Sequence, residues 1–156
     1  MKQSILICIV FLLPFMVKGQ AMSFKEAKEK GLSPKVDSIY TSAVHVDSAK
    51  AVFKTEADMQ KHQAAYQAFL KDFGKFLKKH DFVWTDTIRG FNRIYMAPDG
   101  TVEHFLYSFK KGSVSEEKQK DFERLLNLYI KDHKFGMVAP VRFAQCSAVT
   151  YMASEE

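Results

Sequence analysis

The longest regular pattern of apolar and polar positions lies between residues 56 and 79. Apolar side chains recur there every three or four residues, and charged residues occupy most of the remaining positions. This spacing places the apolar set on one face of an α-helix. Thr55 can cap the start of this helix, and Lys78 and Lys79 suit its C-terminal end, where the helix dipole favours positive charge. We therefore predict a long amphipathic helix over residues 56–79.

After this helix the pattern changes to alternation with a period of two. Residues 87–96 and 101–109 are predicted strands, and the Ala97-Pro98-Asp99-Gly100 segment between them is typical of a hairpin turn. A second amphipathic helix is predicted over residues 115–133, and a final strand over residues 141–152. These elements predict an α+β fold, in which a small antiparallel sheet of the hairpin and the C-terminal strand packs against two amphipathic helices.

Residues 1–19 have the layout of a secretory signal peptide. An early lysine precedes thirteen uncharged residues, 5–17, and the small residues Gly19 and Ala21 follow, so cleavage is expected after one of these two. Thirteen helical residues span about 20 Å, which is less than the hydrocarbon core of about 30 Å. This length and the internal Pro14 favour a cleaved leader over the alternative of a retained membrane anchor.

The rest of the chain divides into two parts. Residues 20–54 hold a short predicted helix at residues 24–30, a linker, and a weakly patterned strand at residues 40–46. Residues 55–156 are expected to form a single α+β domain. No later stretch is apolar enough to span a membrane, so no span is expected after cleavage, and the expected location is the periplasm or the extracellular space.

The net charge and the cysteine content argue against a nucleic-acid partner and against an internal disulfide. The chain has a formal net charge of +5, and removing Lys2 and Lys18 with the leader leaves +3. Export and this small charge argue against a nucleic acid as partner. Of the two cysteines, Cys8 lies in the leader and Cys146 near the C-terminus, so no internal disulfide is expected.

Few residues are arranged for catalysis or metal binding. The five histidines show no pair at metal-ligand spacing, and no glycine-rich phosphate loop is present, so neither a metal nor a cofactor is expected. Cys146 lies in a predicted strand, where a cysteine is typically a small apolar residue. The alternative is that Cys146 is the nucleophile of a small periplasmic hydrolase or thiol enzyme, with a histidine brought near by folding.

The predicted hairpin groups two arginines with aromatic residues. With Ala97 opposite Thr101, alternation places these residues on one face, namely Arg89, Phe91, Arg93, Tyr95, Phe105 and Tyr107. If a helix covers the face, it is core. If the face is open, it is a stacking and cation–π surface. The leading hypothesis is an exported, non-catalytic domain that binds a protein or peptide of the cell envelope through its sheet face or edge. The sequence leaves the ligand and the oligomeric state open.

The C-terminal half also resembles a known family. The hairpin turn, the strand after it, the helix with apolar residues at 125–130, Lys134-Phe135 and the Pro140-Val141 step before the last strand carry this pattern. Over residues 90–156 it is similar to the C-terminal domain of TonB-type periplasmic proteins. The resemblance implies a small periplasmic binding module that can offer a sheet edge to a partner strand. The chain differs by its long aromatic helix over residues 56–79.

Overall fold

A computed structural model describes residues 19–153 of the chain. The predicted leader lies outside the described residues, apart from Gly19. In chain order the elements are β1 (Gln20–Ser23), α1 (Phe24–Glu29), α2 (Ser33–Asp37), β2 (Thr41–Ser42), a 3-10 turn (Ser48–Lys50), α3 (Glu56–Lys79), β3 (Ile88–Met96), β4 (Val102–Phe109), α4 (Glu116–Asp132) and β5 (Phe143–Tyr151). No helix among residues 19–153 is long and apolar enough to cross a membrane.

The two long helices form where the sequence pattern predicts them. At the start of α3 the hydroxyl of Thr55 accepts a hydrogen bond from the Asp58 N–H at 3.1 Å. At the start of α4 the hydroxyl of Ser115 accepts one from the Lys118 N–H at 3.2 Å. These side chains satisfy backbone donors that have no partner within the helix, which fixes where each helix begins.

Three short elements differ from the prediction. The strand β1 lies directly after the predicted leader and was not expected. The helix α2 forms in the predicted linker, because the proline in its first turn needs no N–H donor there. The predicted strand over residues 40–46 is only two residues long, β2.

The fold is α+β, as predicted, but the sheet is larger than expected and mixed. Its five strands lie in the order β1-β4-β3-β5-β2. The central strands β4, β3 and β5 are antiparallel, as the prediction of a hairpin plus a C-terminal strand requires. The short outer strands are parallel to their neighbours, β1 to β4 and β2 to β5. The predicted antiparallel part of the sheet is therefore confirmed, and the two short outer strands make the sheet as a whole mixed.

A bulge in β4 changes the predicted register of the hairpin. The turn itself is as predicted, since the Ala97 N–H donates to the Thr101 carbonyl at 2.9 Å. Beyond it Met96 lies opposite Val102 and Tyr95 lies opposite His104, which leaves Glu103 as an extra residue on β4. One extra residue moves every later side chain of β4 to the other face of the sheet. The predicted grouping of β3 and β4 residues is therefore wrong.

The helices α3 and α4 cover one face of the sheet, and the main core lies beneath them. Phe122 of α4 is fully buried at the centre of this main core. The ring of Phe122 packs against six other aromatic rings. These neighbours are Phe73, Phe82, Trp84, Tyr107, Phe109 and Tyr151. Buried rings contribute large apolar areas and favourable edge-to-face contacts, so this cluster contributes strongly to the stability of the fold.

The N-terminal segment covers part of the opposite face. A smaller cluster there consists of Met22, Ala27, Val36, Tyr95, Leu106 and Ala144. The bulge residue Glu103 strengthens this attachment, because it accepts hydrogen bonds from the Tyr40 hydroxyl at 2.5 Å and from Arg142 Nε at 2.9 Å. Burial opposes ionisation of Glu103, but these hydrogen bonds hold its pKa below the usual range.

Candidate functional site

The face opposite the long helices remains partly open at the end of β3 farthest from the hairpin turn. Arg89, Phe91 and Arg93 alternate along β3 on this face, and Phe91 is 40% exposed. Phe24 of α1 packs against one side of Phe91, with ring centroids 5.9 Å apart. The covering segment thus ends at Phe91 and leaves a surface that is aromatic and basic.

Arg93 is held in one orientation by the N-terminal segment. Its guanidinium forms two contacts with Asp37 of α2, Nη2 to Oδ1 at 3.0 Å and Nη1 to Oδ2 at 3.1 Å. The Tyr95 hydroxyl donates to the same carboxylate at 2.6 Å. Burial and this acceptor raise the pKa of Tyr95, so its phenol stays protonated. Asp37 therefore fixes Arg93 against the sheet and neutralises part of its charge.

The other predicted site residues do not lie on the open surface. Tyr95 is on the same face but is fully buried beneath the N-terminal segment. Phe105 and Tyr107 are on the opposite face, buried in the main core, where the Tyr107 hydroxyl donates to Glu123 at 2.8 Å. The bulge in β4 is the reason, because it reverses the facing of β4 relative to β3. The prediction that Phe105 and Tyr107 share a face with the two arginines is wrong.

Cys146 lies on β5 directly opposite Arg93, with an exposed side chain. Desolvation against the sheet raises the pKa of its thiol, Asp37 acts in the same direction, and Arg93 acts in the opposite one. The thiolate is the reactive form, so a raised pKa is the reverse of what activates a cysteine nucleophile. Within residues 19–153 no hydrogen bond joins the sulfur to a histidine, and no cluster of His, Cys, Asp and Glu could hold a metal ion.

A free sheet edge borders the open surface, and Cys146 is the residue of this edge that the sequence analysis singled out. Among residues 19–153, β5 pairs with β2 only at Phe143 and Ala144, so residues 145–151 have a partner strand from this range, β3, on one side only. The carbonyl of Ala144 accepts from the N–H of Ala43, the residue after β2, which shows that even-numbered residues of β5 turn their backbone groups outward. The outward groups at the free edge are therefore those of Cys146, Ala148 and Thr150.

Two side chains of β5 satisfy the carbonyls of this edge. The Gln145 side-chain amide donates to the Cys146 carbonyl at 2.8 Å, and the Ser147 hydroxyl donates to the Ala148 carbonyl at 2.9 Å. Unpaired edge strands attract other strands, and such local hydrogen bonds reduce that tendency. The alternation of polar residues at 145 and 147 is the sequence signal that could have indicated an edge.

The open surface and the free edge form one continuous site. Thr150, Ala148 and Cys146 lie opposite Arg89, Phe91 and Arg93 in the register of β5 with β3. A strand added to β5 would lie one strand away from these arginines. No family model, no curated protein and no solved structure matches this chain.

Proposed function

We propose that this protein is an exported, non-catalytic domain that binds an extended segment of a protein or peptide at its sheet. The single observation that carries the proposal is that, in the described part of the chain, residues 145–151 of β5 are paired on one side only. Backbone donors and acceptors spaced along a strand are matched by another polypeptide backbone.

The surface beside the edge supports a peptide as the ligand. Phe91 offers an exposed ring, and Arg89, two residues away on the same face of β3, offers an exposed cation. Side chains of an added strand alternate between the two faces of the sheet, so every second one would approach these two residues. The resemblance of residues 90–156 to TonB-type C-terminal domains implies the same class of function, a module that offers an edge to a partner strand.

Proline at Ala148 tests the use of the edge. The Ala148 N–H points outward, so proline removes an edge donor and leaves the hydrogen bonds to β3 in place. A displayed library of random peptides selected on the wild type should yield binders whose affinity for Ala148→Pro is at least about tenfold weaker. Ala148→Ser, which keeps the backbone donor, should bind like the wild type.

A second proline variant is a control in case the first one misfolds. Thr150→Pro removes the next outward donor, and circular dichroism and urea unfolding report whether each variant is folded. Selected peptides that bind both folded proline variants as tightly as the wild type would contradict the proposal, and so would a selection that yields no binders.

Export is part of the proposal, and the fold favours one of the two cleavage positions. The backbone of Ala21 is held by Asn127 of α4, which accepts from its N–H at 2.8 Å and donates to its carbonyl at 2.9 Å. Cleavage after Ala21 would remove half of β1, whereas cleavage after Gly19 leaves β1 whole. Intact-mass measurement on native protein from the cell envelope should therefore show a chain that starts at Gln20. Recovery of the uncleaved chain from the cell interior would overturn this part.

A further inference from the structure

Residues 41–53 form a clasp over the beginning of β5. The Thr41 N–H donates to the Arg142 carbonyl at 3.1 Å, and the Ala43 N–H donates to the Ala144 carbonyl at 2.8 Å. These two carbonyls turn outward, on the same side of β5 as the groups of its free edge. The clasp therefore sets where the free edge begins.

One large side chain anchors the clasp. Within residues 41–53 the buried apolar side chains are those of Ala43, Ala51 and Phe53, and two of these are small. The Phe53 ring packs edge-to-face on Phe143, with centroids 5.4 Å apart, and stacks on His62 at 5.1 Å. A segment that buries so little apolar surface opens at a lower free energy than the core of the protein. The contact of Phe53 with His62 therefore decides whether the clasp stays closed.

His62 lies beside this anchor in a site that suits only its neutral form. The side chain is 2% exposed, and its Nε2 atom is buried without a hydrogen-bond partner in the described part of the chain. The Phe135 ring also contacts it, with centroids 5.5 Å apart. A protonated imidazole carries an N–H on both nitrogens, so a charged His62 would bury a donor that has no acceptor. Protonation is therefore unfavourable as long as Phe53 covers the ring.

The charged residues on the elements around His62 do not offset this cost. Asp58, Lys134 and Arg142 are each bonded to another side chain. Lys54 and Glu56 are exposed to water and opposite in charge. Burial alone lowers the pKa of His62 in the closed form. Opening of the clasp exposes the ring, so its pKa returns there to about 6.5, and acid favours the open form.

We propose that protonation of His62 opens the clasp and extends the free edge of β5 to include Phe143 and Ala144. In the closed form the clasp occupies the carbonyls of Arg142 and Ala144. In the open form these carbonyls join the outward groups farther along β5, so that a longer partner strand can pair. This inference rests on the proposed function and names a regulation of its site, in which the edge is short at neutral pH and longer in mild acid.

Amide hydrogen exchange without any ligand tests the opening. The reporters are the amides of Ala43 and Phe53, which donate to the carbonyls of Ala144 and Ala43. After correction for the intrinsic exchange rate, their opening constant should rise at least about threefold and at most about thirtyfold from about pH 7.5 to about pH 5. Amides inside α4 should stay better protected at both pH values. An unchanged opening constant, or opening of α4 together with the clasp, would overturn the proposal.

Four variants assign the opening to His62. His62→Phe has no proton to gain, so its opening constant should change by less than about 1.5-fold between the two pH values. His62→Gln is also neutral at both, and it serves if circular dichroism shows that His62→Phe is not folded. Phe53→Ala removes the anchor and should open the clasp at neutral pH at least as far as acid opens the wild type. The control His104→Gln should respond to pH like the wild type. A wild-type response in a folded His62 variant would overturn the proposal.

Peptide selection in acid links the opening to the edge and separates this inference from the proposed function. Displayed random peptides of about ten residues, selected on the wild type at about pH 5, should bind His62→Phe at least about fivefold more weakly at that pH. If these peptides lose affinity for Ala148→Pro but bind His62→Phe as tightly as the wild type, edge binding is supported and its regulation by His62 is overturned. A clasp that opens in acid on a protein that yields no binders would support the opening and contradict the proposed function.

Discussion

One face of the sheet is covered by two long helices, and the other is covered in part by two short ones. Beneath the long helices, aromatic rings from both helices, from the loop before β3 and from the strands β4 and β5 fill the space around Phe122. Beneath the short helices, the cluster is small and polar residues at Asp37 and Glu103 complete the attachment. The first face is built for stability, and the second leaves Phe91 and Arg89 accessible at its end.

Removing one aromatic ring from each face should give the largest difference in the free energy of unfolding. Phe105→Ala removes a fully buried ring from the main core and should lower the free energy of unfolding by about 3–5 kcal/mol. Phe91→Ala removes a ring that is 40% exposed and should lower it by less than about 1 kcal/mol. Urea unfolding followed by circular dichroism measures both. Similar losses in the two variants would show that the assignment of the faces is incorrect.

A smaller effect should come from two histidines, His62, which is buried under the long helices, and His104, which is partly buried on the other face. Burial lowers the pKa of His62, which packs between Phe53 and Phe135, and it lowers the pKa of His104, where the nearby Glu103 opposes it. The unfolded state therefore binds more protons than the folded state near pH 6.5 and below. Stability should fall as the pH is lowered from about 7.5 to about 5.

Replacing each histidine in turn shows how much of this pH dependence of stability comes from that residue. His62→Phe should remove the larger part of it, because no charge near His62 offsets its burial, whereas His104→Gln should remove the smaller part. The free energy of unfolding, measured in urea at both pH values, decides the assignment. A fall in His62→Phe as large as that of the wild type would contradict it.

The sequence predicts the strongly patterned elements of this fold, but not how they are placed in the sheet. The helix over residues 56–79 and the hairpin turn at residues 97–100 follow from local periodicity, caps and turn chemistry, which neighbouring residues determine. Glu103 gives no local sign that it forms a bulge, because a polar residue also fits regular alternation. Its effect on the register moved Phe105 and Tyr107 from the predicted surface to the core.

The free edge could not be predicted for a similar reason. Which strand lies outermost depends on contacts between distant parts of the chain. The two-residue strand β2 lies outside β5 and pairs with it at Phe143 and Ala144. Arg89, Phe91 and Arg93 were predicted from the sequence as candidate binding residues, and that role stays a prediction. Their neighbours Ala148 and Thr150 carry no chemical signal of their own, so only the three-dimensional arrangement brings them into the site.

The parallel pairing of β1 with β4 has a consequence for the order of assembly. Gln20 lies beside His104, so the first strand to be synthesised has its partner far later in the chain. A ribosome that releases the chain from its N-terminus must deliver β4 before β1 can pair with it. Until then Ala21 and Met22, both buried in the finished sheet, stay exposed to water, and a chain in transit remains incompletely folded.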